Sequence, residues 1–243
     1  MVSVIITGGT RGIGRAISTK LINEGYHIYA IYRNRHEEAQ KFSEQFDSIN
    51  ISLHQVDISN RDEVSDFFNK IRMSSIETIA LVNNAGIYHV PQKKNEEDVF
   101  KSNVLGTHYM TNAFAEYRRA GNFIDIGAVV NIGSTTGMHG PTGSEIYAAS
   151  KSAMHRLISV QAYKFAKENI LHINTIAPGP VPTELLLSVP ASQGIDKMTA
   201  QTPTGRLTKP EEIAVLAYFL IKNRNLNIVG AEISIDGGRI LGF

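Results

Sequence analysis

Val2-Ser3-Val4-Ile5-Ile6-Thr7-Gly8-Gly9-Thr10-Arg11-Gly12-Ile13-Gly14-Arg15-Ala16-Ile17 follows Met1, and its reading decides the fold. The β-branched run Val2 to Thr7 reads as a buried strand, and the segment from Gly12 has helical period. Between them lie glycines spaced Gly-x-x-x-Gly-x-Gly, at Gly8, Gly12 and Gly14. Such a strand–turn–helix unit lets backbone approach a diphosphate, whose charge then rests on unpaired N–H groups at the helix N-terminus. The plain alternative is an ordinary glycine-rich turn without a ligand.

The same alternation runs outward along the chain. Strands are expected near Val2 to Thr7, His27 to Tyr32, Ile51 to Val56, Thr78 to Asn83, Ala128 to Gly133, His172 to Ala177 and Glu232 to Ile235. Helices are expected near Gly12 to Glu24, Glu37 to Phe46, Arg61 to Met73, Glu97 to Ala120, Glu145 to Lys167 and Pro210 to Lys222. Strands alternating with crossover helices predict an α/β fold: a doubly wound, Rossmann-type domain over residues 1–243, its seven-stranded parallel sheet covered on both faces. Pro178 to Pro210 is a long connection with no obvious element, at a strand's carboxyl end where ligands sit, and a substrate lid is expected near 182–207.

Composition narrows the chemistry. The 243 residues contain no cysteine, which excludes thiol nucleophiles, disulfides and Cys-based metal sites. The eight histidines form no His-x-x-x-His pair, so no metal is expected. With 24 basic against 23 acidic residues the net charge is +1, which offers no bulk field for nucleic acid or an anionic membrane. The start lacks a signal peptide's pattern, and the longest apolar run, Ala214 to Ile221, has eight residues against the ~20 of a spanning helix. A cytoplasmic protein is expected.

The glycine spacing behind Thr7 resembles that of the short-chain dehydrogenase/reductase family, and further motifs follow in order. Asn83-Asn84-Ala85-Gly86 ends the fourth strand, and Asp57-Ile58 follows the third. The resemblance implies a nicotinamide dinucleotide held by Gly8, Thr10, Arg11, Gly12, Ile13 and Gly14, by Asp57 and Ile58, and by Asn84, Ala85 and Gly86. At the end of the second strand an NAD site carries a carboxylate for the ribose hydroxyl, but here the sequence is Tyr32-Arg33-Asn34-Arg35. Arg33 and Arg11 would suit the 2′-phosphate of NADP(H), which is the expected cofactor; the bland alternative is two solvated surface arginines.

The family signature Tyr-x-x-x-Lys occurs three times, at Tyr147/Lys151, Tyr163/Lys167 and Tyr218/Lys222. The family also places a serine 13 residues before the tyrosine, which Ser134 satisfies for Tyr147 and Ser150 satisfies for Tyr163. Ser150 and Tyr163 fall in one predicted helix, roughly 20 Å apart, and cannot share a substrate. Ser134 ends the fifth strand, and the loop Thr135 to Ser144 can return Tyr147 to it; Tyr163 and Tyr218 read as interior or interface residues. Asn103, in Ser102-Asn103-Val104-Leu105-Gly106, matches the family's fourth member, its alternative being a helix-kinking asparagine. By resemblance Ser134 would bind the substrate oxygen, Tyr147 would donate a proton, Lys151 would hold the cofactor ribose and Asn103 would link Lys151 through water to solvent. Pro178, Gly179, Val181 and Thr183, in Ala177-Pro178-Gly179-Pro180-Val181-Pro182-Thr183, complete the implied cofactor contacts.

Tyr88, His89, Met138, His139, Leu185, Leu186, Leu187 and Met198 are expected to face the substrate, and their apolar character suits an extended carbonyl compound or simply packing onto the sheet. The chain most resembles 3-oxoacyl-[acyl-carrier-protein] reductases, which implies a 3-oxoacyl thioester reduced with NADPH, a homotetramer or dimer, and an acyl carrier protein docking on Arg118 or Arg119. The second docking arginine of that subfamily is replaced by Asn169, and Gly121 to Gly127 is longer than usual. A carbonyl reductase or alcohol dehydrogenase acting on a free small molecule is the alternative, and a non-catalytic dinucleotide sensor the remote one.

Overall fold

The computed structural model describes residues 1–88, 95–121, 123–139, 144–187 and 194–242. Strands β1 (Ser3–Thr7), β2 (His27–Tyr32), β3 (Ile51–Gln55), β4 (Thr78–Asn83), β5 (Gly127–Ile132), β6 (Leu171–Pro178) and β7 (Glu232–Ile235) form one sheet in the order β3-β2-β1-β4-β5-β6-β7. Every pairing is parallel. The order reverses between β1 and β4, and the crevice outside the carboxyl ends of those strands is where an open α/β sheet binds its ligand.

Alternating side chains send each strand into two cores. On one face Val4, Ile6, Ala30, Val82 and Val130 pack under helices α1 (Gly12–Asn23), α2 (His36–Ser43) and, later in the chain, Pro210–Lys222. On the other, Ile5, Ile31, Leu81, Val129 and Ile173 pack under α3 (Arg61–Arg72) and two long helices of the middle third. Burial on both faces is why these strands read as continuous apolar runs rather than as alternating ones.

The predicted helix from Glu97 to Ala120 is broken into three pieces. α4 (Glu96–Phe100) passes through one π-helical turn, Lys101–Gly106, into α5 (Thr107–Ala120). The 23-residue α6 (Glu145–Lys167) is capped by Ser144, whose hydroxyl accepts the Tyr147 N–H at 3.3 Å and so fixes the turn carrying that tyrosine. The long connection after β6 contains short helices α7 (Glu184–Leu187) and α8 (Ile195–Ala200), and α9 (Pro210–Lys222) follows. Among the described residues no helix is long and apolar enough to cross a membrane, and no group of three potential metal ligands occurs.

Candidate active site

The turn after β1 leaves no room for side chains. A Cβ on Gly14 would lie 2.1 Å from the Gly8 carbonyl oxygen, and Gly8 itself has φ +64°. Arg11, the extended residue before α1, offers no side-chain cap, so the first N–H groups of that helix are left for an anion. Asn84 binds the turn to the sheet: its amide donates to the Thr7 and Gly8 carbonyls at 2.9 and 3.2 Å, while Thr7 Oγ1 accepts the Asn84 and Ala85 N–H groups. Below it, the buried Asn83 amide donates to Asn131 Oδ1 at 2.8 Å and Thr111 Oγ1 at 2.9 Å, cross-linking β4, β5 and α5. Sequence reasoning passed over Asn131, whose signal was a lone polar residue inside the apolar run Ala128 to Ile132.

Four residues from three stretches of chain converge beside this turn. Ser134 leaves the end of β5 and hydrogen-bonds Tyr147, and the Tyr88 and Tyr147 rings lie 4.9 Å apart. Lys151, one turn further along α6, is buried and donates to the Ile132 carbonyl at 3.1 Å. A Cβ on Gly86 would lie 3.7 Å from Lys151 Nζ and 3.0 Å from Asn103 Oδ1, which places both side chains at the same backbone segment. The π turn brings Asn103 there: its amide clasps Ile87 by both N–H and C=O and donates to Ser150 Oγ at 3.0 Å. Asn103 thus secures the loop after β4. Burial raises the Tyr147 hydroxyl to about 12, opposed by its Ser134 bond, and lowers the Lys151 ammonium to about 8.

A family model described as "Enoyl-(Acyl carrier protein) reductase" matches residues 8–239. The chain belongs to the short-chain dehydrogenase/reductase family. It is 32% identical over 240 residues to the "Acetoacetyl-CoA reductase" of Rhizobium meliloti, covering 97% of each chain. It is 29% identical over 245 residues to the "3-oxoacyl-[acyl-carrier-protein] reductase FabG" of Thermotoga maritima, covering 98% of this chain and 97% of that one. The solved structure "ElxO with NADP Bound" superposes with a TM-score of 0.86 at 30% identity, covering 99% of both chains. The protein is thus an NAD(P)-dependent oxidoreductase of the short-chain dehydrogenase/reductase family.

The three Tyr-x-x-x-Lys strings separate cleanly within this family member. Ser150 and Tyr163 both lie in α6, and Tyr163 is 72% exposed, so of the interior and interface readings the interior one is corrected. Tyr218 sits on α9, its ring edge-on to Tyr26 and flanked by Lys20 and Lys222. Val181 and Ile58 turn their side chains into the cores, so only their backbones can meet a cofactor. Pro178 ends β6, and a Cβ on Gly12 would lie 3.5 Å from Thr183 Cγ2, which brings the lid's first residues against the glycine turn. Of the expected substrate-facing residues, Leu185 is exposed and Met198 buried on α8, while His89 and the Leu187 side chain lie outside the described residues.

The arginines are less simple than their sequence positions imply. Arg33 does not stand open at the strand end but meets the Asp57 carboxylate at 2.9 Å, and Asp57 also accepts the Ser59 N–H and hydroxyl. Arg11 reaches Glu184 at 3.4 Å, and the unforeseen Arg35 reaches the same carboxylate at 2.9 Å from a left-handed backbone position, φ +64°. Arg118 is not a surface docking residue. It is buried, bonds Glu77 at 2.8 Å, the Thr78 carbonyl and the Asp125 carbonyl, and lies over the Phe123 ring. The extended Gly121 to Gly127 stretch supplies that lining. Arg119 is half-exposed and paired with Glu168.

Proposed function

We propose that this single-unit chain is an NADPH-dependent reductase that converts the ketone of a 3-oxoacyl thioester to the 3-hydroxyacyl product. The observation that carries the reading is the convergence of Ser134, Tyr147, Lys151 and Asn103 beside the glycine turn at the carboxyl edge of the sheet. The residues fit a dinucleotide: Gly8, Thr10, Arg11, Gly12, Ile13 and Gly14 would take the diphosphate, Asp57 and Ile58 the adenine, and Asn84, Ala85, Gly86, Pro178, Gly179, Val181 and Thr183 the nicotinamide half. Arg33, held by Asp57, and Arg11 and Arg35, held by Glu184, would supply guanidinium groups to a 2′-phosphate. The bound cofactor supplies the hydride.

In this reading Ser134 Oγ donates a hydrogen bond to the substrate carbonyl oxygen. Tyr147 gives its phenolic proton to that oxygen as negative charge develops there, and Lys151 holds the ribose and restores the proton from solvent. Asn103 keeps the Ile87 segment in place beside Lys151. A cytoplasmic homo-oligomer belongs to the same proposal, and the exposed Val160 and Tyr163 on α6 give it an apolar surface to bury.

The carrier of the acyl group is where a second reading enters. The buried Arg118 and the paired Arg119 leave little cationic surface where a carrier protein was expected to dock, which favours a coenzyme-type thioester or a free ketone. NADPH oxidation would be followed with acetoacetyl thioester on a pantetheine mimic, the carrier-bound form and free ketones, against NADH. Rapid turnover of the thioester with NADPH, lost in Tyr147→Phe while cofactor binding persists, is expected. Turnover of free ketones alone would replace the thioester assignment.

A further inference from the structure

His155 is 4% exposed and has no part in the proton path or the cofactor cradle, yet it touches the backbone of Ser134. It lies one helical turn beyond Lys151 on α6, so the two side chains share a face. That face meets the end of β5. Lys151 Nζ donates to the Ile132 carbonyl at 3.1 Å, the Gly133 N–H donates to the Ile176 carbonyl at 2.7 Å, and the Ser134 N–H donates to His155 Nε2 at 3.3 Å. The β5–β6 ladder ends at the Ile132 and Ile176 pair, so β6 offers Ser134 no acceptor. A buried N–H left without one is costly, and the imidazole supplies what the sheet does not.

This geometry fixes the ring's protonation. Nε2 must present its lone pair to the Ser134 N–H, so the proton sits on Nδ1, where it is donated to Glu232 Oε2 at 3.1 Å. Glu232 is the first residue of β7, paired with Thr175. The ring also needs the glycine before the serine: a Cβ on Gly133 would lie 2.3 Å from His155 Nε2.

We propose that His155, held as its Nδ1–H tautomer by Glu232, is a positioning residue that fixes the main chain of Ser134 and thereby aims the hydroxyl at Tyr147 and the substrate oxygen, and that protonation of the ring releases it. This rests on the reading of Ser134 and Tyr147 given above. A protonated ring would set an N–H against the Ser134 N–H, and the bond would be lost. The charged groups facing the ring are Glu232 on β7, which favours protonation, and Lys151 on α6, which opposes it; burial is the largest influence and holds the ring below its ordinary range. Activity therefore loses this support only at pH values below those at which an ordinary imidazole takes up its proton.

The test has one readout in the free protein and one in turnover. Nitrogen-15 NMR of the imidazole near pH 7.5 should give a protonated Nδ1 and an unprotonated Nε2, with Glu232→Gln moving the ring's titration to lower pH. His155→Gln retains an acceptor for Ser134 and a donor for Glu232 but cannot titrate, so it should keep most of the neutral-pH kcat and lose the acid limb. His155→Leu should lower kcat by about tenfold or more with the KM for NADPH unchanged. An Nε2–H tautomer, an acid limb unaltered in His155→Gln, or full kcat in His155→Leu would each overturn the proposal. If His155→Leu fails to fold, the glutamine variant decides. Wild-type inactivity on every carbonyl would count against the reductase reading while the tautomer still judged His155.

Discussion

Replacing Lys151 by methionine should stabilise the unliganded protein while abolishing turnover. The ammonium is buried and its pKa is lowered to about 8 from the ordinary 10.5, with burial as the cause. At pH 7 both folded and unfolded states carry the proton, and the shift corresponds to a folding penalty of about 3 kcal/mol. Methionine has a similar reach and no charge to desolvate, but it forfeits the charge-assisted bond to the Ile132 carbonyl, about 1.5 to 3 kcal/mol. The net gain at pH 7 is therefore at most about 2 kcal/mol, or a rise of a few degrees in Tm for a chain of this size. For a lysine whose folded pKa is depressed, the penalty is complete below the folded value, fades as pH rises from about 8 to 10.5, and is gone above it. Urea unfolding of both proteins at pH 7 and pH 10 measures this directly. The methionine variant should be the more stable at pH 7 and the less stable at pH 10. A variant less stable at pH 7, or a difference that does not change with pH, would refute the claim that desolvation dominates at Lys151.

Three further outcomes follow from the same contacts. Glu184→Gln removes the carboxylate shared by Arg11 and Arg35; half-exposed pairs are worth about 0.2 to 1 kcal/mol each, so the Kd for NADPH should tighten about 2- to 30-fold and that for NADH should stay put, as fluorescence titration would read. Arg118→Leu should cost about 3 kcal/mol or more in chemical unfolding, because the buried guanidinium serves the Glu77 carboxylate and the carbonyls of Thr78 and Asp125, whereas a docking arginine would alter carrier KM at constant stability. The kcat/KM for ketone reduction should decline above about pH 8 as free-enzyme Lys151 loses its proton, and a base limb first appearing above pH 10 would assign that titration elsewhere.

What the sequence disclosed, and what it withheld, follows from the range of the interactions. Strands buried at every position read as short apolar-rich runs, so β2 and β4 were legible to the residue, as was the half-exposed β7 from its alternating Ile233 and Ile235, and α6 and α9 were bounded correctly from their helical period. A window of period 3.6 cannot register one extra residue per turn, so the π turn at Lys101–Gly106 vanished into a continuous helix. It is nonetheless the feature that lets the Asn103 amide clasp Ile87. Helices of four and six residues, such as α7 and α8, contain too few turns to show any period.

Charge presented the same difficulty in another form. A sequence states where an arginine is, but its worth to a phosphate depends on what already holds it, and Glu184 lies 173 residues from Arg11 and 149 from Arg35. The geometry of Tyr147 adds what motif reading could not. Burial keeps its proton near pKa 12 while the neighbouring Lys151 falls to about 8, so at neutral pH the phenol is held protonated. That is the state a donor needs when the base to be met is a developing alkoxide, far more basic than a phenolate, and the Ser134 bond, which pulls the value down, points the proton's departure toward the oxygen that serine would also bind. In the proposed reduction the phenol therefore meets the substrate oxygen protonated, and the same burial that raises Tyr147 is what makes the Lys151 ammonium destabilising.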